Sequence, residues 1–278
     1  MRTERMSKKI WNAILAVFLA VIILLGVMQL GVVCQSSSGS HWKPNYKKIE
    51  IFPLLEKTER TKEDYEVLYK QTGLTKLAID GFLSKGEKKK IQVIQNRYFE
   101  DYEVISNSFA PFTYTEEIDG SGILASLEEG DILITLSVYT SFFRYGHCAL
   151  VVDAENETVV ECVSIGENSE ETSADFFTNY ANFLVFRPKM SKETRKEVAV
   201  YARNNLIDLP YDLTTGVLSP KFKETPIVSQ CAHLVWYAYK RFGLDLDANG
   251  GAIVLPYDLA KSPNLELVQS FGINPDTL

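Results

Sequence analysis

Two short stretches of the chain decide the expected fold. They are GDILIT followed by RYGHCALVVD (residues 130–135 and 144–153), and QCAHLVWYAYKRFG (residues 230–243). The first places His147 in a β-patterned run, and the second places Cys231 at the head of an amphipathic helical run. A helix N-terminus favours a thiolate, and a rigid strand can hold an imidazole steadily. We therefore expect the two stretches to meet, as the parts of a cysteine hydrolase.

The sequence around these stretches predicts an α+β fold, with an antiparallel sheet packed on helices. Strand patterns cover residues 130–137, 141–153, 157–165 and 182–188. Residues 191–207 are patterned as an amphipathic helix with Ser191 as its N-cap. GGAIVLPYDL (residues 250–259) is a candidate edge strand. We assign residues 126–278 to one catalytic domain on this basis.

The N-terminal part of the chain predicts a membrane anchor. A basic tail (residues 1–9) precedes an apolar run over residues 10–33, and about 20 apolar residues cross a hydrocarbon core as a helix. A cleavable signal peptide usually has a shorter apolar core, so an uncleaved transmembrane signal-anchor is favoured. Lipidation at Cys34 is a weaker alternative, because Val33 is a poor residue before such a cleavage site. The positive-inside rule then keeps residues 1–9 in the cytoplasm and predicts that the catalytic domain is extracytoplasmic.

Two segments connect the anchor to the catalytic domain. Residues 34–48 are polar and contain Ser, Gly and Pro, which is typical of a linker. Residues 49–125 form a predicted helical segment, because apolar residues recur three or four apart as far as about residue 106. Residues 109–130 are interpreted as a connection into the catalytic domain.

Composition excludes some functions. The net charge of -7 and the pI near 5.2 argue against a nucleic-acid partner, since such proteins usually carry a basic face. The four cysteines (Cys34, Cys148, Cys162 and Cys231) show no metal-binding spacing, and we predict neither a metal nor a cofactor. Cys148 and Cys162 are expected to be buried thiols, with a cross-strand disulfide as the alternative.

Only one histidine of the globular part is a suitable partner for Cys231. His233 lies two residues further along the same helix, roughly 200° around its axis, so the two side chains cannot face each other. His147 remains. A third group must fix the imidazole tautomer, and Glu161 is the best candidate because it lies on the next strand of the predicted hairpin. Because the register is uncertain, Ser164 and Glu167 remain alternatives.

The two stretches also carry a family resemblance. GDILIT with RYGHCALVV is similar to the histidine half of the NlpC-type cysteine peptidases, and LPYDL (residues 209–213) with QCAHLVWYAYKRFGLDL (residues 230–246) is similar to their cysteine half. In ordinary members the cysteine half comes first. The reverse order resembles the circularly permuted branch of papain-fold hydrolases, notably the YiiX-like proteins. The resemblance covers residues 127–246.

This resemblance implies a permuted papain-like fold with a Cys-His-polar triad. Carried over residue by residue, the triad is Cys231, His147 and Glu161. Tyr211 matches a family tyrosine near the nucleophile, which is implied to help form the oxyanion hole together with the backbone N–H of Cys231.

The residues after the nucleophile depart from the pattern of that family. Ala232 and His233 replace the usual Ser-Gly or Ser-Glu. QCAHLV is also similar to the NCEHFV signature of the lecithin:retinol acyltransferase-like enzymes, which share the permuted topology and act on lipid acyl esters.

The expected function is therefore that of a membrane-anchored cysteine hydrolase (a thiol peptidase or amidase) that cleaves peptide or peptidoglycan-type amide bonds through an acyl-enzyme. The alternatives are a lipid acyl hydrolase or acyltransferase, and a non-catalytic binding module. The expected partners are a peptide, cell-wall or lipid-derived substrate and the membrane itself.

Overall fold

A computed structural model describes residues 2–37 and 41–277, so Met1 of the predicted tail and residues 38–40 of the predicted linker lie outside the described residues. The helices are α1 (Arg2–Ser37), α2 (Phe52–Leu55), α3 (Lys62–Thr72), α4 (Lys76–Ser84), α5 (Lys88–Tyr98), α6 (Phe176–Asn179), α7 (Lys192–Asn205), α8 (Cys231–Arg241) and α9 (Pro256–Ala260). The strands are β1 (Val104–Ala110), β2 (Thr113–Ile118), β3 (Ile132–Thr135), β4 (Val138–Thr140), β5 (Phe143–Arg144), β6 (His147–Asp153), β7 (Thr158–Glu161), β8 (Glu170–Ser173), β9 (Phe183–Pro188) and β10 (Leu265–Phe271).

The strands form two antiparallel sheets. The main sheet has the order β10-β9-β3-β6-β7-β8, and the small sheet has the order β1-β2-β4-β5. The predicted α+β class with antiparallel strands and an apolar N-terminal helix is therefore confirmed.

The main sheet lies between two helical layers, because its strands are apolar on both faces. Ile132 and Leu150 belong to the face that is buried against α7 and α8. Leu133, Ala149 and Val151 belong to the opposite face, which is buried with side chains of α3, α4 and α5. The helical segment thus shares a core with the main sheet. This fits the sequences of the central strands, which are nearly continuous apolar runs because both of their faces are buried.

Gly146 divides the strand that we predicted over residues 141–153. It adopts φ 77°, and a Cβ at this position would lie 2.3 Å from the carbonyl oxygen of Thr135. Only glycine tolerates both conditions. As a result, β5 joins the small sheet, and β6 begins anew in the main sheet with His147 as its first residue.

Four further segments differ from their predicted structure, and one of them is strand β10 (Leu265–Phe271), which the sequence did not predict. Residues 104–118 form the β1–β2 hairpin instead of the end of a helical region and a connection. The predicted edge strand at residues 250–259 is wrong: the Asp258 carboxylate accepts from the Leu255 N–H at 2.9 Å and caps the short helix α9. Strand β8 was not predicted, because its sequence EETS has no apolar alternation.

Helix α1 is the one helix in the described part of the chain that is long and apolar enough to cross a membrane, and its candidate span is Lys9–Ser36. It continues to Ser37, four residues into the predicted linker. Its C-terminal turns pack on the small sheet: the Ser141 hydroxyl donates to the Met28 carbonyl at 3.0 Å.

Candidate active site

Cys231 is the first residue of α8, as the sequence predicted, and its side chain is only 3% exposed. Gln230 is the N-cap: its amide oxygen accepts from the Ala232 N–H at 2.9 Å and lies 3.5 Å from the Cys231 Sγ. The Gln230 amide nitrogen donates to the Val254 carbonyl at 2.6 Å. The cysteine is therefore held at the positive end of the helix dipole by an anchored cap.

His147 lies opposite Thr135 of β3 and is 4% exposed. Its Nε2 is 2.6 Å from the Glu161 Oε2, and this contact leaves Nδ1 as the ring nitrogen available to Cys231, which lines the same cleft. The ring also stacks on Phe177, with ring centroids 5.7 Å apart and planes inclined by 20°. The imidazole is thus fixed on one edge by a carboxylate and on one face by an aromatic ring.

Glu161 is the last residue of β7, and the structure selects it over the two alternatives as the partner of His147. Its second oxygen, Oε1, accepts from the Thr172 hydroxyl at 2.5 Å. Ser164 and Glu167 line the same cleft. Sequence reasoning missed Thr172, because it lies on β8, which has no strand pattern.

The electrostatics favour a charged Cys231–His147 pair. A hydrogen bond with the Cys148 thiol, together with the hydrogen bond and charge of His147, holds the pKa of Cys231 well below its ordinary value despite burial. Burial opposes the charged form of His147, but hydrogen bonds with Cys231 and Glu161 outweigh it and raise the pKa of His147 to about 10. Burial likewise opposes ionisation of Glu161, and His147 more than offsets this, so the pKa of Glu161 is lowered. At neutral pH the favoured state is a thiolate beside an imidazolium.

The two neighbouring cysteines are buried thiols rather than a disulfide, as predicted. Both belong to the core on the α8 face of the main sheet, opposite the face of Ala149 and Val159. Burial raises the pKa of Cys148 well above its ordinary value, so Cys148 stays protonated and can donate to the Cys231 sulfur. Burial also raises the pKa of Cys162 to about 12.

Cys231 and His147 line a cleft of about 380 Å³. The small sheet forms one wall, with Asn107, Phe109, Thr115, Glu117 and Val138. Tyr211 lines the same cleft, as predicted, and burial raises its pKa, so its phenol stays protonated. Tyr145 and Tyr180 also line the cleft. Sequence reasoning missed both tyrosines, and Tyr145 could have been noticed only from its position two residues before His147.

His233 faces away from the nucleophile, as the helical geometry predicted. Its Nδ1 is 2.9 Å from the Ser229 hydroxyl, and its Nε2 is 2.7 Å from the Lys221 carbonyl. Burial lowers the pKa of His233, so this ring is neutral. It is a structural histidine that ties α8 to the preceding loop.

Two further observations bear on this geometry: the metal-binding potential of the described residues, and the comparisons with known proteins. Within residues 2–37 and 41–277, no group of three or more His, Cys, Asp or Glu side chains is arranged to hold a metal ion. Comparisons with protein-family models, with curated proteins and with solved structures found no match for this chain. The chemistry of the site is that of a thiolate, an imidazolium and an orienting carboxylate in an open cleft.

Proposed function

We propose that the protein is a membrane-anchored cysteine hydrolase that cleaves amide bonds through an acyl-enzyme on Cys231. The observation that carries this proposal is that Cys231 and His147 line one cleft, while His147 contacts Glu161 and Glu161 in turn contacts Thr172. A purely structural histidine does not need a buried carboxylate on one nitrogen and a helix-terminal thiol on the other. The permuted papain-like fold suggested by the sequence belongs to the same proposal, as does the extracytoplasmic location of the site.

The catalytic steps follow from the protonation states. The Cys231 thiolate attacks the carbonyl carbon of the amide, and the negative charge moves to the carbonyl oxygen. The His147 imidazolium gives its proton to the departing amine, which leaves a neutral imidazole and a thioester on Cys231. His147 then takes a proton from a water molecule as that water attacks the thioester carbonyl. The C–S bond breaks, the acyl group leaves as a carboxylic acid, and the thiolate and imidazolium are restored. Glu161 keeps the ring in the required orientation throughout.

Two donors are available for the oxyanion. The backbone N–H of Cys231 belongs to the first turn of α8, where N–H groups have no partner within the helix. The protonated Tyr211 phenol lines the same cleft. Preorganised donors of this kind usually contribute a large share of the rate enhancement.

The charge of the cleft supports an amine-bearing amide substrate. Glu117 and Glu167 line the cleft, whereas no Lys or Arg is among its lining residues in the described part of the chain. Asn107 donates to the Glu117 carboxylate at 3.0 Å and so holds it in place. Such a cleft attracts a cationic peptide group and repels a phosphate headgroup.

A second candidate function is acyl transfer or hydrolysis on lipids. One observation favours it: the small sheet that walls the cleft also contacts the C-terminal turns of α1. A site beside a membrane anchor is within reach of lipid substrates. The two carboxylates in the cleft weigh against anionic lipids but not against neutral acyl esters.

The two candidates can be separated by the adduct that forms on Cys231. The full chain in detergent would be incubated with muropeptides that carry a free amino group, and separately with vesicles of neutral and of anionic phospholipid. We expect a mass increase on Cys231 from the peptides, and none in Cys231→Ala. An adduct from phospholipid alone would overturn the amidase proposal, and the absence of an adduct from either would favour a binding module.

A further inference from the structure

The strongest feature outside the candidate active site is the outer edge of the small sheet, where two turns meet beside α1. The first turn is residues 108–113 (SFAPFT), and the second is residues 140–143 (TSFF). We call these ten residues the aromatic edge. The Ser141 N–H donates to the Phe112 carbonyl at 2.9 Å, and the hydroxyls of Thr113 and Thr140 are 2.7 Å apart, so the two turns form one surface.

The composition of the aromatic edge is unlike that of an ordinary solvent-exposed loop. It contains four phenylalanines and no charged residue, in a chain in which 23% of residues are charged. Three of these rings remain open to solvent: Phe109 is 43% exposed, Phe142 is 51% exposed and Phe143 is 56% exposed. A cluster of exposed aromatic side chains marks an interaction surface.

The contacts with α1 define where this surface lies. A Cβ on Gly31 would lie 2.3 Å from the Ser141 Oγ and 2.6 Å from the Phe142 ring, so the tip of the second turn touches the helix backbone. The Gln35 amide donates to the Phe142 carbonyl at 2.8 Å. Met28, Gly31 and Gln35 are spaced three and four residues apart, which places them on one face of the helix.

Arg144 also stabilises the contact between α1 and the small sheet. Its guanidinium binds the buried Glu116 carboxylate at 2.6 and 3.0 Å and also donates to the Gln35 carbonyl at 3.3 Å. An arginine at the last carbonyls of a helix is favourable for the helix dipole. Its charge is neutralised by Glu116, so it does not prevent the neighbouring turn from entering an apolar phase.

The depth of the aromatic edge follows from the length of the helix. The apolar run from Ile10 to Val33 has 24 residues, about 36 Å at the helical rise, and the hydrocarbon core is about 30 Å thick. The run therefore fills the core and reaches into the interfacial layer. Met28 and Gly31 lie in its last two turns, at the level where aromatic side chains are enriched in membrane proteins.

We propose that the aromatic edge is a second membrane contact, which inserts Phe142 and Phe143 into the interfacial layer of the bilayer that α1 spans. The partner is the lipid bilayer, because the exposed rings are continuous with the apolar surface of a membrane helix and carry no charge. Phe143 contacts Tyr145 (centroids 6.1 Å apart), and Tyr145 and Phe109 both line the cleft. The mouth of the cleft is thereby held at the bilayer surface.

The test uses the full chain in phospholipid vesicles, on a Cys34→Ser and Cys231→Ser background that leaves only buried thiols. A single cysteine at Phe142 or Phe143 would carry an environment-sensitive fluorophore. We expect strong quenching by a phospholipid that bears a nitroxide near its headgroup, and several-fold weaker quenching by aqueous iodide than at the water control Leu218→Cys, where the native side chain is 81% exposed. Leu25→Cys on α1 supplies the membrane control.

Two outcomes would overturn the proposal. Iodide quenching at Phe142 equal to that at Leu218 would place the edge in water. Protection from both iodide and the nitroxide lipid would indicate a protein on this surface, such as a second copy of the chain. Because the readout needs no turnover and is measured without the nucleophile, its failure is independent of the proposed hydrolase activity. A parallel Phe109→Cys label tests whether the remaining turn shares the same depth.

Discussion

The two histidines nearest to Cys231, His147 and His233, are nearly equally buried and yet differ in protonation. His147 is 4% exposed and His233 is 3% exposed, and both have a partner on each ring nitrogen. The partners of His147 are a carboxylate and a thiol that can lose its proton, and its pKa is raised to about 10 despite burial. The partners of His233 are a backbone carbonyl and a hydroxyl, and burial lowers its pKa. The charge of the partners, rather than burial, decides whether a buried imidazole is a charged group.

This comparison predicts the largest effect for loss of His147. His147→Ala should lower kcat/KM on the order of 10⁴-fold, because it removes both the proton donor and the charge that stabilises the thiolate. The matched variant His233→Asn should stay within a few-fold of the native enzyme per folded molecule. Steady-state kinetics on the amide substrate identified by the adduct experiment would check both, and equal losses in the two variants would remove the distinction between the histidines.

The next largest effect concerns the reactivity of Cys231 with iodoacetamide. In the native chain, alkylation should stay fast well below the pH at which an ordinary thiol ionises, since the pKa of Cys231 is depressed. In His147→Ala the reactivity midpoint should rise toward the ordinary thiol value of about 8.5, while the Cys148 hydrogen bond keeps part of the depression. His233→Asn should leave the pH midpoint of Cys231 alkylation unchanged. Mass spectrometry of Cys231 on a Cys34→Ser background gives the rate at each pH.

An intermediate effect is expected for the carboxylate that orients His147. Glu161→Gln removes a negative charge from the imidazolium, so the pKa of His147 should fall from about 10. The alkaline limb of the rate profile, where the imidazolium loses its proton, should move to lower pH. Thr172→Val removes only the 2.5 Å hydrogen bond that the hydroxyl donates to Glu161 and leaves the carboxylate charge in place, so it should move the limb much less than Glu161→Gln does. A limb that stays in place in Glu161→Gln would show that Glu161 does not set this pKa.

The smallest effect is on stability and belongs to His233. His233→Asn should cost about 1–3 kcal/mol, the usual loss when a buried hydrogen-bonding group loses its partner. The pKa of His233 in the fold is below its ordinary value of 6.5, so the unfolded chain binds the proton more readily. The stability that comes from the neutral ring is therefore complete above that value and is lost as pH falls below it. Thermal unfolding should be measured in detergent at neutral and at mildly acidic pH. We expect the difference in Tm between the native chain and His233→Asn to become smaller as the pH falls.

Several features of the site could be predicted because they depend on local spacing. Cys231 heads a helix because apolar residues recur at helical intervals behind it and a glycine follows Phe242. His233 could be excluded because two residues on one helix cannot face each other, and Ser191 caps α7 through the Thr194 N–H as predicted. The apolar helix α1 could be predicted from the length and composition of its sequence alone.

Other features depended on contacts between distant parts of the chain. The choice of Glu161 over Ser164 and Glu167 is a matter of strand register, and a shift of one residue would have turned the carboxylate to the other face of the sheet. Thr172 reaches Glu161 from a strand with no apolar pattern. Residues 104–118 form a hairpin that is stabilised by pairing of β2 with β4, and this partner strand is not visible in the local sequence.

The sequence by itself therefore determined three local features, which are a cysteine at a helix head, a histidine on a strand and an apolar helix at the N-terminus. Each is set by periodicity within about a dozen residues. Only the tertiary structure decided the electrostatic state of the pair and its position relative to α1. The pKa of His147 depends on the charges that the fold brings to its two nitrogens, and the docking of the small sheet depends on Gly31 and Arg144, which lie more than a hundred residues apart.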